Sequence, residues 1–219
     1  MANDDSVLGS WDWNRINNYD RWRNPSVVVY PLSIRWLKEN KMNILDLGCG
    51  LGRNSVYLYQ QGFKVTAVDA SKSAIDRFKV TLQEKGYDID LRLCDMHSLP
   101  FADECFDGVF SFHVIYHTNT AGIRKVISEV YRVLKPDGEV FVTFNSKNNS
   151  SYLKNIQYKI DENTIIKQEG IEKGIPHYYC DEKEVKDLMS SFEILRFFYL
   201  EDIKPDGNRS CHYFVLAKK

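Results

Sequence analysis

Three acids, three glycines and a pair of histidines stand out as residues able to do chemistry. In the run NILDLGCGLGRN, residues 43–54, Asp46 precedes Gly48, Gly50 and Gly52. Glycines tolerate φ > 0 and let the backbone approach a ligand closely. A helix that starts just behind them presents unpaired N–H groups. The dinucleotide version of such a turn needs G-x-G-x-x-G. Here the order is G-x-G-x-G, and Arg53 stands where the third dinucleotide glycine would be. A carboxylate before the first glycine would repel a diphosphate and suits a ligand carrying a positive group. Asp69 follows Gly48 at the distance where a carboxylate holds a ribose diol. Asp95 is a third acid, just past a third apolar run. His113 and His117 are four apart and would share one face of a helical turn. They are candidates for a general base or for orienting a substrate, with Tyr116 between them. A metal pair is not expected, because no carboxylate or cysteine ligand stands near them in sequence.

The elements that would position these residues follow from periodicity. Residues 44–47 read as a buried strand and 54–61 as a helix ended by Gly62. FKVTAV at 63–68 is a second strand, 73–85 an amphipathic helix closed by Gly86, and 89–94 a third strand. FDGVFSF at 106–112 is the fourth strand, followed by a helix at 123–134, a KPDG turn and a fifth strand at 139–144. Residues 145–180 are an insertion: IQYKI and TIIKQ alternate around Asp161-Glu162-Asn163 and predict a β-hairpin. Asp181 and Glu184 predict a capping box at the next helix. Two β-rich runs near the carboxyl end predict a closing antiparallel hairpin. The fold class is therefore a doubly wound, Rossmann-like α/β sheet of about seven mostly parallel strands. The chain, 1–219, reads as a single domain with an N-terminal helical cap over residues 1–40 and a lid over 145–180. A helix from Pro25, with Asn24 as its cap, is expected to run to about Asn40.

The run LDLGCGLGR, the acids after strands two and three, the LPF at 99–101 and the segment EVYRVLKPDGEVFVTF together resemble the small-molecule class I S-adenosylmethionine (SAM)-dependent methyltransferases. The resemblance implies SAM as cofactor and S-adenosylhomocysteine as product. It assigns Asp46, Gly48, Cys49 and Gly50 to the first cofactor motif, and Asp69 with Ala70 to the ribose. Asp95 and Met96 fall to the adenine, and Ser111 and Phe112 to the strand end beside the transferred methyl. An N-terminal helical segment often closes such sites, which makes Tyr19 and Trp22 candidates for the sulfonium by cation–π attraction. His113, His117 and Tyr116 are the catalytic candidates. His177 and Tyr178 are substrate candidates, with aromatic packing of the lid as the alternative.

Composition narrows the partners. The net charge is −1, so no global field attracts nucleic acid or an anionic membrane. No apolar run has membrane-spanning length, and the acidic, polar start does not read as a signal peptide. Five scattered cysteines without a C-x-x-C read as reduced thiols in a cytoplasmic protein. A small-molecule acceptor is expected, with no metal; the oligomeric state, monomer or homodimer, stays open. Methylation of tRNA or protein, a SAM-binding protein without turnover, and an NAD enzyme are the rival readings.

Overall fold

The computed structural model describes residues 11–16 and 22–219. The elements run α1 Val29–Lys38, β1 Asn43–Leu47, α2 Arg53–Gln60, β2 Lys64–Asp69, α3 Lys72–Lys85, β3 Asp90–Leu93, β4 Phe106–Ser111 and α4 Thr120–Val133. They continue with β5 Leu134–Ser146, α5 Ser150–Lys154, β6 Thr164–Ile166, β7 Pro176–Cys180, α6 Glu182–Leu188, β8 Glu193–Ile203 and β9 Arg209–Lys218. Four parallel pairings give the order β3-β2-β1-β4-β5, and β9 then runs antiparallel to β5, with β8 antiparallel to β9. These seven strands are the expected doubly wound arrangement, and β7 and β6 extend it to a nine-stranded sheet. The strand order reverses between β1 and β4, and a crevice opens outside the carboxyl ends of the strands at such a point.

Buried strands and one-sided helices hold this layer arrangement. In β1 the last four residues are buried, among them Ile44, Leu45 and Leu47. In α4, Ile123, Val126, Ile127, Val130 and Val133 form one buried stripe at helical spacing. At about 2 kcal/mol for each buried side chain, that stripe contributes on the order of 10 kcal/mol before chain entropy is counted. The helix starts where Asn119 accepts from the Gly122 N–H. The buried Glu139 fixes α1 to β5, accepting from Arg35 Nη2 at 2.6 Å and Trp36 Nε1 at 3.0 Å.

Three expectations need correction. The helix expected from Pro25 begins at Val29, because Ser26 is held by Asn54: its N–H and Oγ donate to Asn54 Oδ1 at 2.9 and 3.0 Å. The KPDG segment lies within β5 as a bulge: Leu134 before it pairs with Phe106 and Glu139 after it with Gly108, while Asp137, at φ +63°, and Gly138 bond the Lys219 backbone. The hairpin of the insertion joins IQYKI to TIIKQ only by the antiparallel bridge Lys159–Ile165, with Ile160 N donating to Thr164 O at 3.0 Å. Residues 156–158 form a 3₁₀ turn, and the longer pairing of β6 is with β7. The Asp161 carboxylate holds the turn between the two runs. It accepts from Thr120 N and Oγ1, Asn163 N and Thr164 Oγ1, which fixes the turn to the start of α4.

The β6–β7 hairpin has a distinct place. Asn145 of β5 pairs with His212 of β9 on one edge and with Tyr179 of β7 on the other. That second edge belongs to β4 as far as Ser111. Strand β7 therefore takes over the position that β4 vacates and carries the sheet beyond its carboxyl edge. The Tyr178 N–H donates to Tyr116 O at 2.8 Å and closes the junction.

Candidate active site

A cleft of about 1800 Å³ lies along the carboxyl edge, between the glycine turn and the β6–β7 hairpin. Its first wall is backbone. Gly48 and Gly50 have φ of +77° and +56°, and Gly52, the cap of α2, has +84°. Space is as demanding as conformation there. A Cβ on Gly48 would stand 2.2 Å from the Val114 side chain, and one on Gly52 would stand 2.1 Å from the Phe78 ring. The turn is pinned from β2: Gly48 N and Cys49 N donate to Val68 O, and Gly50 N donates to Asp69 Oδ2 at 2.8 Å.

Asp69 lines the cleft and uses its other oxygen to accept from Ser71 N at 2.8 Å. A carboxylate has about four lone-pair sites, so each oxygen keeps capacity toward the cleft. Burial raises its pKa, with the Ser71 and Gly50 N–H groups opposing the rise. Ala70 is exposed beside it and lines the cleft. Asp95 and Met96 follow β3 on the same wall. Asp95 accepts from the His97 N–H at 2.9 Å and lies 2.6 Å from His97 Nδ1, and His97 Nε2 reaches Thr118 Oγ1 at 2.9 Å. Burial works against the charge on Asp95, but the His97 contacts outweigh it and lower the pKa. His97 escapes a sequence reading because its partner Thr118 is 21 residues away.

Two residues assigned to the cofactor lie behind the wall. Asp46 is 2% exposed, accepts from Ser55 Oγ at 2.5 Å, and does not line the cleft. A strand alternates its faces, and this one turns residue 46 toward α2. Burial pushes its pKa up to about 7, with the Ser55 hydroxyl opposing and the Asp69 charge adding to the rise. Ser111 is wholly buried, and its Oγ donates to Leu47 O at 2.9 Å, bracing β1 against β4. Phe112, one residue on, does line the cleft, with the Arg53 guanidinium 5.7 Å from its ring centre.

The N-terminal segment closes over the turn. Trp13 N donates to Ser73 Oγ at 3.0 Å, and its ring fills the space a side chain on Gly50 would need. Trp22 packs edge-on to Trp13, with centroids 5.4 Å apart, and both line the cleft. Trp11 reaches across to the His117 ring at 6.1 Å. Tyr19 lies outside the described residues.

The second wall is made of side chains. Residues 112–119 form turns, not the helical turn that would stack His113 on His117. His113 is held at φ +60° by donation from its N–H to Thr143 Oγ1 at 2.7 Å. Its ring packs 4.3 Å from His212 of β9, while the His117 ring packs 4.8 Å from His177 of β7. Tyr116 sits among them, 5.9 Å from His212 and 6.4 Å from His177, and lines the cleft. Burial lowers the pKa of both His177 and His212 to about 4, so both rings are neutral near pH 7. Strand alternation sorts the lid residues: His177 and Tyr179 line the cleft, whereas Tyr178 points into the core and accepts from Asn163 Nδ2. Tyr178 thus packs in the core, and Tyr179 lines the cleft beside His177.

The expectation that no carboxylate stands near the histidines is also overturned. Glu172, from the loop between β6 and β7, places Oε1 3.6 Å from His117 Nε2 and 3.4 Å from His177 Nε2, and Lys167 bonds its other oxygen. Burial opposes its charge, but His117, His177 and Lys167 together hold its pKa far below the usual carboxylate range. Glu172 and His212 carry no motif; only the β5–β7 and β5–β9 pairings bring them to the cleft.

A doubly wound sheet with an acid-supported glycine turn at its switch point defines a nucleoside-binding α/β protein. Comparisons with known proteins narrow that class. A family model described as a methyltransferase domain matches residues 45–142. A ubiquinone biosynthesis O-methyltransferase from Dechloromonas aromatica is 30% identical over 212 residues, covering 91% of this chain and 84% of that protein. The enzyme of the same name from Rickettsia prowazekii is 28% identical over 68% of this chain, which spans 60% of that relative's length. The crystal structure of a SAM-dependent methyltransferase from Methanosarcina mazei superposes with a TM-score of 0.74 at 25% identity, covering 87% of this chain and 97% of that one. The chain belongs to the class I SAM-dependent methyltransferases, and SAM is the cofactor of that family. Among the described residues no helix is long and apolar enough to cross a membrane.

Proposed function

We propose that this protein transfers the methyl group of SAM to an oxygen of a small-molecule acceptor, releasing S-adenosylhomocysteine. The observation that carries the reading is one continuous cleft with a backbone-built wall at Gly48–Gly50 and Asp69 and a histidine-rich wall opposite. The acceptor class is supported by the relatives, which are named as O-methyltransferases. In this reading the two oxygens of Asp69 take the ribose hydroxyls, Asp95 accepts from the adenine amine, and Met96 packs on the ring. Gly48, Cys49, Gly50 and Ala70 shape the channel by backbone. Phe112 and the Trp13–Trp22 pair bound the sulfonium, where aromatic faces favour a cation.

Methyl transfer from a sulfonium is an in-line displacement: the acceptor oxygen forms a bond to the methyl carbon as the carbon–sulfur bond breaks. The thioether leaves without assistance, so positioning and exclusion of water supply much of the rate. An acceptor hydroxyl must lose its proton, and His113 is the proposed general base. The neutral His212 ring packed against it is a positioning residue. Tyr116 and Tyr179 orient the acceptor beneath the β6–β7 hairpin. The test is transfer of labelled methyl from SAM to a panel of phenols, enols and alcohols, with thiols and amines alongside. Label in oxygen acceptors supports the reading; label only in thiols or amines contradicts the oxygen assignment.

A further inference from the structure

We propose that His117, His177 and Glu172 form a site for a divalent transition-metal ion of the zinc class. Their ligand atoms all lie within 4.8 Å of one another. Both contacts to Glu172 Oε1, 3.4 and 3.6 Å, are too long for good hydrogen bonds. They match instead the separation of about 3.3 Å between neighbouring donors around a tetrahedral zinc with nitrogen and oxygen at roughly 2.0 Å. With the ligand atoms at most 4.8 Å apart, binding needs the two imidazoles to approach each other by no more than about 1.5 Å.

The tautomer is already set. His177 is 1% exposed, and its Nδ1 lies 2.9 Å from Ile175 O, a carbonyl that can only accept. Nδ1 therefore carries the proton and Nε2 presents its lone pair to the cluster. A backbone carbonyl on the far nitrogen is the usual support of a metal-ligating histidine. The Nε2 atoms of both His177 and His117 are buried, and neither has a hydrogen-bond partner within the protein. Leaving two such nitrogens unmatched is costly, and a cation accounts for both. Lys167 bonds Oε2 of Glu172 and leaves Oε1 to the ion, so the lysine acts as the outer support of that ligand.

Two imidazoles and one carboxylate select zinc, cobalt or iron(II) over magnesium or calcium, which favour all-oxygen shells. Three protein ligands leave a position open, as in catalytic zinc sites. All three residues line the cleft, so that position faces the acceptor side. There a water or an acceptor oxygen would complete the shell; this last clause rests on the proposed methyl transfer, whereas uptake of the ion does not.

The test is titration of the metal-stripped protein with cobalt(II), followed by visible absorption, with zinc competition afterwards. The expected result is one cobalt per chain with the intense bands of a four-coordinate site, displaced by one equivalent of zinc. Removing an outer support of a metal ligand costs about 10- to 100-fold in affinity, so Glu172→Gln and His117→Ala should each lose at least about a hundredfold. Far-ultraviolet circular dichroism checks that both variants are folded. A folded wild-type protein that takes up no cobalt overturns the site. So does uptake that is equal in wild type and both variants, which would mark adventitious binding elsewhere.

Discussion

From Gly48 to Asp95 the cleft is walled by main chain: glycine turns and carboxylates bonded to N–H groups of their own neighbourhood. From Phe112 to His212 it is walled by rings from the β4–α4 turns, β7 and β9, joined by packing more than by hydrogen bonds. On the first wall a side chain on Gly48 or Gly52 has nowhere to go. The second takes its shape from the β4–α4 turns, the β6–β7 hairpin and β9, which only distant pairings bring together. The proposed function assigns the cofactor to the first wall and the acceptor to the second. The contrast therefore predicts that damage on one side spares the other.

The largest effect is expected on the acceptor wall. His113→Asn keeps a residue that tolerates φ > 0 and removes the base. The turnover number should fall by about 10²- to 10⁴-fold, with SAM affinity unchanged by calorimetry. Equal losses in both would show that His113 serves the cofactor. Next is Gly52→Ala. Its left-handed φ and the Phe78 ring should together cost about 3 kcal/mol or more in urea unfolding. A loss below about 1 kcal/mol would mean that the turn yields. Asp69→Ala should weaken SAM binding by about 1.5–3 kcal/mol, the range for a hydrogen bond to a charged group. Unchanged affinity would remove Asp69 from the ribose role.

The last effect, the smallest per unit of the variable changed, concerns Asp46. Its folded pKa, about 7, lies above the ordinary value near 4. A carboxyl raised in this way favours the fold fully below about pH 4 and loses that contribution as the pH rises through about 7. Asp46→Asn removes this dependence. The stability difference between variant and wild type should shift toward the variant by on the order of 1 kcal/mol per pH unit across that window. A difference independent of pH would show that Asp46 is not titrating there.

The first wall was largely legible in the sequence and the second was not, for the same physical reason. Strand, turn, acid and helix N-terminus are contiguous, so residues 43–54 and Asp69 announce their partners locally. Even there the burial of Asp46 and Ser111 was missed, because alternation says that neighbours face opposite ways but not which way the cleft lies. On the second wall every contact spans distant segments. Glu172 meets His117 only because β7 occupies the place beyond β4, and His113 meets His212 only because β9 returns beside β5. The longer pairing of β6, with β7, escapes periodicity because IQYKI alternates as well as PHYYC does, and the Asp161 bonds to Thr120 cannot be read from periodicity either.

The measurement that tests the central claim most directly is calorimetric titration of the purified protein, freed of any co-purified ligand, with SAM, then S-adenosylhomocysteine, then NAD. One site of roughly micromolar affinity is expected for each adenosyl ligand, with no heat from NAD. A folded protein that binds neither adenosyl ligand, or that binds NAD equally well, would contradict the claim.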